Sequence, residues 1–162
     1  MWVQRYMSLI NLFHKVTHRL VRKWQAMVGV VTIGPRAIIL NQDNQVLLVK
    51  HTYQSHWYLP GGGLKKGESA KAALLRELKE EVGLTVLVEP HLFCIYHHTY
   101  LGVNDYPIIY IVKNFHITPN VSSPEIERVN WFSYDNLPDK ISPGTKRRLD
   151  EYFTNLAPAE RW

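Results

Sequence analysis

The stretch GGGLKKGESAKAALLRELKEEVGL, residues 61–84, joins three consecutive glycines to a strongly patterned helix. Ser69 is placed to cap the start of that helix, and Gly83 to end it in a left-handed turn. Leu74, Leu75, Leu78 and Val82 recur at helical spacing and form its core-facing side. Glu77 and Glu81 are four apart, so one stands above the other, and Glu80 is three from Glu77. At roughly 100° per residue the three carboxylates fall within an arc of about 100°, beside the leucines and distinct from them.

Like charges at these spacings weaken an isolated helix. Arg76 can reach Glu80, whereas Lys79 points to another side, which leaves Glu77 and Glu81 short of local partners. Hard oxygen ligands with too little compensating charge suit Mg²⁺ or Mn²⁺, and such a cation in turn binds phosphate oxygens. The glycines at 61–63 let backbone approach a ligand closely and offer carbonyls to a metal, and Lys65 and Lys66 can attract phosphate. The competing reading of these features alone is a solvated acidic helix face after an ordinary glycine turn.

The full spacing separates the two readings. Gly62, Glu68, the run Arg76-Glu77-Leu78, then Glu80-Glu81 and Gly83-Leu84 are nine specified positions within 23 residues. This pattern resembles the Nudix box at every position, without substitution or insertion. The resemblance implies an α/β/α sandwich around a mixed sheet, in the α/β (α+β) class. It also implies that Glu77, Glu80 and Glu81, with the carbonyl of Gly62, ligate Mg²⁺ or Mn²⁺. By the same carry-over Glu77 serves as general base in some members. Arg76 orients the carboxylates, and Glu68 ties the loop to the helix or acts through water. The implied reaction is attack of water on phosphorus in a nucleotide-derived diphosphate. ADP-ribose, nucleotide sugars, nucleoside triphosphates and dinucleoside polyphosphates all fit that description. A nucleotide-binding sensor of the same fold that does not hydrolyse is the alternative. Such modules usually have a damaged box, and this one is intact. The isoprenoid-diphosphate isomerase branch also departs from the pattern seen here.

Outside the box, Glu125 and Glu127 are candidates for a further metal ligand or base. Glu127 is preferred because it lies nearer a strand; both also fit a solvent-facing strand end. Trp57 and Tyr58 are candidates to stack on a nucleobase, or else pack beneath the loop. His97 follows a strand and Tyr100 lies 16 residues past Leu84, a spacing similar to that of a tyrosine in some dinucleoside polyphosphate hydrolases. Either can contact substrate, or both are ordinary strand and surface residues.

Working outward, Trp57-Tyr58-Leu59-Pro60 resembles the usual entry to the box. Glu125-Ile126-Glu127, Val129, Trp131-Phe132 and Leu137-Pro138 resemble the family's last strand and the turn after it. Strands are expected at 37–40 and 45–50, as a hairpin about the turn Asn41-Gln42-Asp43-Asn44. Further strands are expected at 85–88, 92–96, 108–115 and 128–132, with a closing helix at 143–153. Gly34-Pro35 reads as punctuation before the first strand.

The chain has 162 residues, 46% of them hydrophobic, enough for one domain with a buried core. Its one cysteine, Cys94, excludes an intramolecular disulfide, fits a reducing cytosol and reads as a small buried residue. The net charge of +5 is uneven: Arg5, Lys15, Arg19, Arg22 and Lys23 stand in residues 1–27 without an acid, so the remainder is neutral. No basic face for nucleic acid is therefore expected on residues 28–162, which form the expected Nudix domain. Residues 1–27 read as a basic amphipathic helix. Trp2, Tyr6, Leu9, Phe13, Val16, Leu20, Trp24 and Met27 form its apolar stripe. That helix either docks on the domain, joins two copies in a homodimer, lies on an anionic membrane surface or acts as a mitochondrial transit peptide. The charges within it make a poor secretory signal, and the expected location is cytoplasmic or peripheral to the membrane.

Overall fold

The computed structural model describes Met27 and residues 29–118 and 123–162; the Tyr100 side chain and residues 1–26, with the helix expected there, lie outside the described residues. In chain order the elements are β1 (Val31–Ile39), β2 (Val46–His51), β3 (Trp57–Tyr58), α1 (Ala70–Val82), β4 (Leu84–Val86) and β5 (His91–Ile95). They continue with β6 (His98–Tyr100), β7 (Val103–Val112), β8 (Phe115–Ile117), β9 (Ile126–Phe132) and α2 (Pro143–Phe153).

β1 runs parallel to β7, which carries β5 and β6 antiparallel on its other side, so this sheet is mixed. β2 lies between β3 and β9, and β4 pairs with β8. Strand alternation turns these sheets into a sandwich filling. Ala37, Ile39, Leu47 and Val49 face Leu74, Leu78 and Val82 of α1. Their neighbours Ile38, Leu40, Val46 and Leu48 face the opposite cluster with Leu149, Tyr152 and Phe153 of α2. A helix therefore covers each side, and both faces of β1 and β2 are apolar because both are buried. Among the described residues no helix is long and apolar enough to cross a membrane.

Four expectations change. The turn at 41–44 forms, with Asn41 Oδ1 accepting from the backbone N–H groups of Asp43 (3.1 Å) and Gln45 (2.8 Å). The strands it joins diverge into different sheets, however, meeting only at the Leu40–Val46 bridge. Local turn chemistry fixes the reversal, while the long-range parallel ladder with β7 decides the pairing. Gly34 and Pro35 lie inside β1 rather than before it. Proline is tolerated there because β1 is at the end of its sheet and pairs along one side only. The strand expected at 108–115 is two: β7 starts five residues earlier, and β8 begins at Phe115 to pair with β4. Finally, Leu75 is exposed at the edge of the apolar stripe of α1, while Leu74, Leu78 and Val82 are buried.

Candidate functional site

α1 begins where Ser69 accepts a hydrogen bond from the Ala72 amide (3.1 Å) and ends at Gly83 with φ 65°. Burial of Leu74, Leu78 and Val82 fixes its rotation and turns the glutamates toward the glycine loop. That loop is held against the free side of β1, where the Ala37 amide donates to the Pro60 carbonyl (3.0 Å). Gly61 has φ 131°, and a β-carbon there would run into the Pro35 carbonyl. Its amide donates to Glu81 Oε2 at 2.9 Å. At Gly62 a β-carbon would collide with the Glu77 carboxyl group. Two glycines thus allow backbone to lie directly on two glutamates of the helix.

Arg76 does more than reach Glu80. Its Nε and Nη2 donate to the two oxygens of Glu68, each at 2.9 Å. Its Nη1 donates to Glu77 Oε1 (2.7 Å) and Glu80 Oε2 (3.1 Å), and Nη2 also reaches the Gly63 carbonyl (3.1 Å). The planar fork of arginine permits this shared geometry, and lysine could not reproduce it. Glu68 also accepts from the Lys65 amide (2.9 Å), so it joins loop to helix, and Arg76 holds its carboxyl down to about 2. Lys65 Nζ stands 3.8 Å from Glu80 Oε1, at an exposed position.

Glu81 behaves differently. Burial pushes its carboxyl up to about 7, against the opposing pull of the Gly61 amide and Arg36, with Glu77 and Glu125 adding repulsion. Among the described residues no three His, Cys, Asp or Glu side chains already converge on a cation position. Arg76 occupies the point where Glu68, Glu77 and Glu80 meet. The residues nevertheless fit a hard divalent cation. The donors are all oxygen, the Gly62 backbone lies against Glu77, and Glu81 is a carboxylate whose charge nothing fully offsets.

Three neighbours had no signal in the spacing. Arg36, half-buried on β1, acts on Glu81, His51 and Tyr53. Its one side-chain hydrogen bond among the described residues is to the Pro35 carbonyl (3.3 Å). His51 stacks on Tyr53 with ring centroids 5.2 Å apart. Burial, then Arg36, lowers His51 to about 4, so it is neutral at pH 7. Burial raises the Tyr53 phenol, and the charges of Glu125, Glu81 and Glu77 add to that. Only the fold brings these residues to the box.

The candidates outside the box separate. Glu127 pairs with Lys50 (2.8 Å) and Arg128 (3.4 Å), away from the acidic cluster. It sits in a register shift between Lys50–Arg128 and His51–Ile126, where β9 has one residue more than β2. Glu125 is the one whose charge reaches Glu81 and Tyr53. Trp57 is buried against Phe132, with ring centroids 5.0 Å apart. Tyr58 lies on the other side, 5.9 Å from the His51 ring. His97 is engaged by Asn104 (3.1 Å), the Tyr106 ring (5.4 Å) and the backbone of Glu160 and Trp162. Tyr100 ends up in β6, with its side chain outside the described residues.

Comparison with known proteins identifies the family. A putative 8-oxo-dGTP diphosphatase of Bacillus subtilis is 30% identical over 127 residues, covering 75% of this chain and 79% of that one. An uncharacterized Nudix hydrolase of the same organism, YvcI, is 29% identical over 120 residues, 69% of this chain and 73% of its own. The crystal structure of a MutT Nudix hydrolase from Burkholderia pseudomallei superposes with a TM-score of 0.67 at 28% identity, over 75% of this chain and 97% of that one. A Nudix hydrolase from Nitrosomonas europaea gives 0.68 at 26% identity, over 78% and 90%. The family model for the NUDIX domain matches residues 32–153, which takes in the three sheets, the glycine loop and both α1 and α2, and the chain belongs to the Nudix hydrolase family.

Proposed function

We propose that this enzyme hydrolyses a phosphoanhydride bond in a nucleoside diphosphate linked to another moiety, with Mg²⁺ or Mn²⁺ held by Glu77, Glu80, Glu81 and the Gly62 carbonyl. The observation that carries the reading is the Gly61–Gly62 backbone lying directly on Glu81 and Glu77, beside an arginine shared by Glu68, Glu77 and Glu80. When bound, the cation would acidify water and offset charge on the diphosphate oxygens. Glu77 takes a proton from the attacking water as its oxygen bonds to phosphorus. The bridging phosphorus–oxygen bond breaks, and the leaving phosphate keeps the bridging oxygen with its electron pair. Arg76 keeps Glu77 in place, and Glu68 keeps Arg76 in place. Arg36, which has no ion pair among the described residues, is the cation free to meet a substrate phosphate. The wall of His51, Tyr53 and Tyr58 offers aromatic faces for a base. An oxidised purine nucleoside triphosphate is the first substrate to try, given the name of the Bacillus subtilis relative.

The test is a Mg²⁺-dependent hydrolysis screen over 8-oxo-dGTP, ordinary nucleoside triphosphates, ADP-ribose, nucleotide sugars and dinucleoside polyphosphates. Products are resolved by chromatography, with Glu81→Gln as control. Turnover that falls at least about 100-fold in the variant supports the proposal. Nucleotide binding without turnover on any of these compounds supports the sensor reading instead.

A further inference from the structure

The face of the mixed sheet that α1 covers is covered only in part. α1 seals Ala37, Ile39 and Val112. On the same face, toward the start of β1, stand Val31, Ile33, Tyr106, Ile95 and Leu92, each between 36% and 53% exposed. The register makes them one strip. Ile33 pairs with Tyr106, Pro35 with Ile108, Ile108 with Ile95, and Leu92 with Tyr110. Paired residues share a face, and so do alternate residues along each strand. Five large apolar side chains side by side on three adjoining strands are more than the scattered exposure ordinary for a soluble domain.

We propose that residues 1–26 cover this strip, laying the apolar stripe of Trp2, Tyr6, Leu9, Phe13, Val16, Leu20 and Trp24 on it. The chain enters the described region at the edge of the strip. Met27 has helical backbone, Gly29 has φ 69°, and Val31 is the first residue of β1 and the first of the strip. A left-handed glycine just past a helix is the usual way to end it and turn the chain back. A 26-residue helix is about 39 Å long, more than enough to cross the strip, which runs about 20 Å along the strands from Val31, level with Asn104, to Leu92, level with Tyr110. A tether this short gives the segment an effective concentration on the order of millimolar, which favours it over a second copy. The basic residues Arg5, Lys15, Arg19, Arg22 and Lys23 lie on the adjacent face of such a helix and stay in water.

The test is site-specific photo-cross-linking of the full-length chain at low concentration and without lipid. A photo-reactive phenylalanine replaces Ile95 in one sample. In the control it replaces Leu156, which is exposed after α2, on the opposite side of the sandwich. The expected result is cross-linking within one chain, from position 95 to peptides of residues 1–26, at ten times the control yield or more. Adding Phe13→Ser and Leu20→Ser, both in the apolar stripe of residues 1–26, should remove that product. A yield at 95 no higher than at 156, or a covalent dimer as the main product at 95, overturns the assignment. The dimer would give the strip to a second copy.

Discussion

The Glu77 carboxyl group fills the space where a β-carbon on Gly62 would stand. Backbone and carboxylate are in direct contact, so even alanine at 62 must push Glu77 aside or move the loop. Gly62→Ala is expected to lower kcat by about 100-fold, as loss of a catalytic group does, while the fold survives. Steady-state kinetics beside a circular dichroism melt would check it. Near-normal kcat in a folded variant would mean that the position of Glu77 is unimportant to the chemistry.

Arg76 is the one cation that Glu68, Glu77 and Glu80 share. Arg76→Lys keeps the charge and loses the fork, so Glu68 and Glu77 cannot be held together. The variant is expected to melt at a lower temperature than the parent, mostly through loss of the two pairs with little exposure. The Glu80 pair, half exposed, adds little. Mg²⁺ should raise the melting temperature of the variant more than that of the parent, because it has more uncompensated carboxylate to neutralise. Equal Mg²⁺ shifts in the two proteins would count against the cation binding at these glutamates.

The helix and its caps were legible in the residues because their causes are local. Ser69, the leucine spacing and Gly83 act within a few positions of one another. The acidic face was legible for the same reason, and the closing helix expected at 143–153 has the bounds of α2. Pairing was not legible. The turn at 41–44 looks like that of a hairpin, and nothing nearby reveals that β1 prefers β7, some seventy residues away. Arg36, His51 and Tyr53 stayed hidden likewise, since they meet the box only after β1 and β2 are in place. Nearness to a strand favours Glu127 over Glu125 in the sequence, but which of them faces the box depends on a one-residue register shift in β9 that spacing does not reveal.

Glu81 gives a pH signature. Its carboxyl is raised in the folded protein to about 7, from an ordinary 4.5. A raised carboxyl contributes stability that is full below pH 4.5 and is lost as pH rises through 7. His51 works the other way. Lowered from 6.5 to about 4, it contributes stability present above pH 6.5 and lost as pH falls through 4. The two oppose each other in the wild type, so the difference between proteins is the useful quantity. Without metal, Glu81→Gln should gain on the parent as pH goes from 5 to 8, by about 3 kcal/mol at most. Denaturant melts at pH 5, 6, 7 and 8 would show it. A constant difference across that range would mean Glu81 is ionised throughout.

The last comparison sets Glu125 against Glu127. Glu127 is bound to Lys50 and Arg128 at the strand surface, and Lys50 holds its carboxyl below the usual range. Replacing it with glutamine removes only exposed, solvent-screened pairs and should leave kcat within about threefold. Glu125 has its backbone carbonyl on the Thr52 amide (2.9 Å), and its charge acts on Glu81 and Tyr53. Glu125→Gln should therefore reduce kcat by about 10-fold or more if it assists the base or the cation, within the range expected for general-base help. It should also move the Glu81 transition to lower pH, because a repelling neighbour is gone. Measuring kcat and the pH profile for both variants separates the two residues. If Glu127→Gln proves the damaging change and Glu125→Gln the silent one, the loop before β9 must rearrange when substrate binds, breaking the Lys50 pair to free Glu127 for the site.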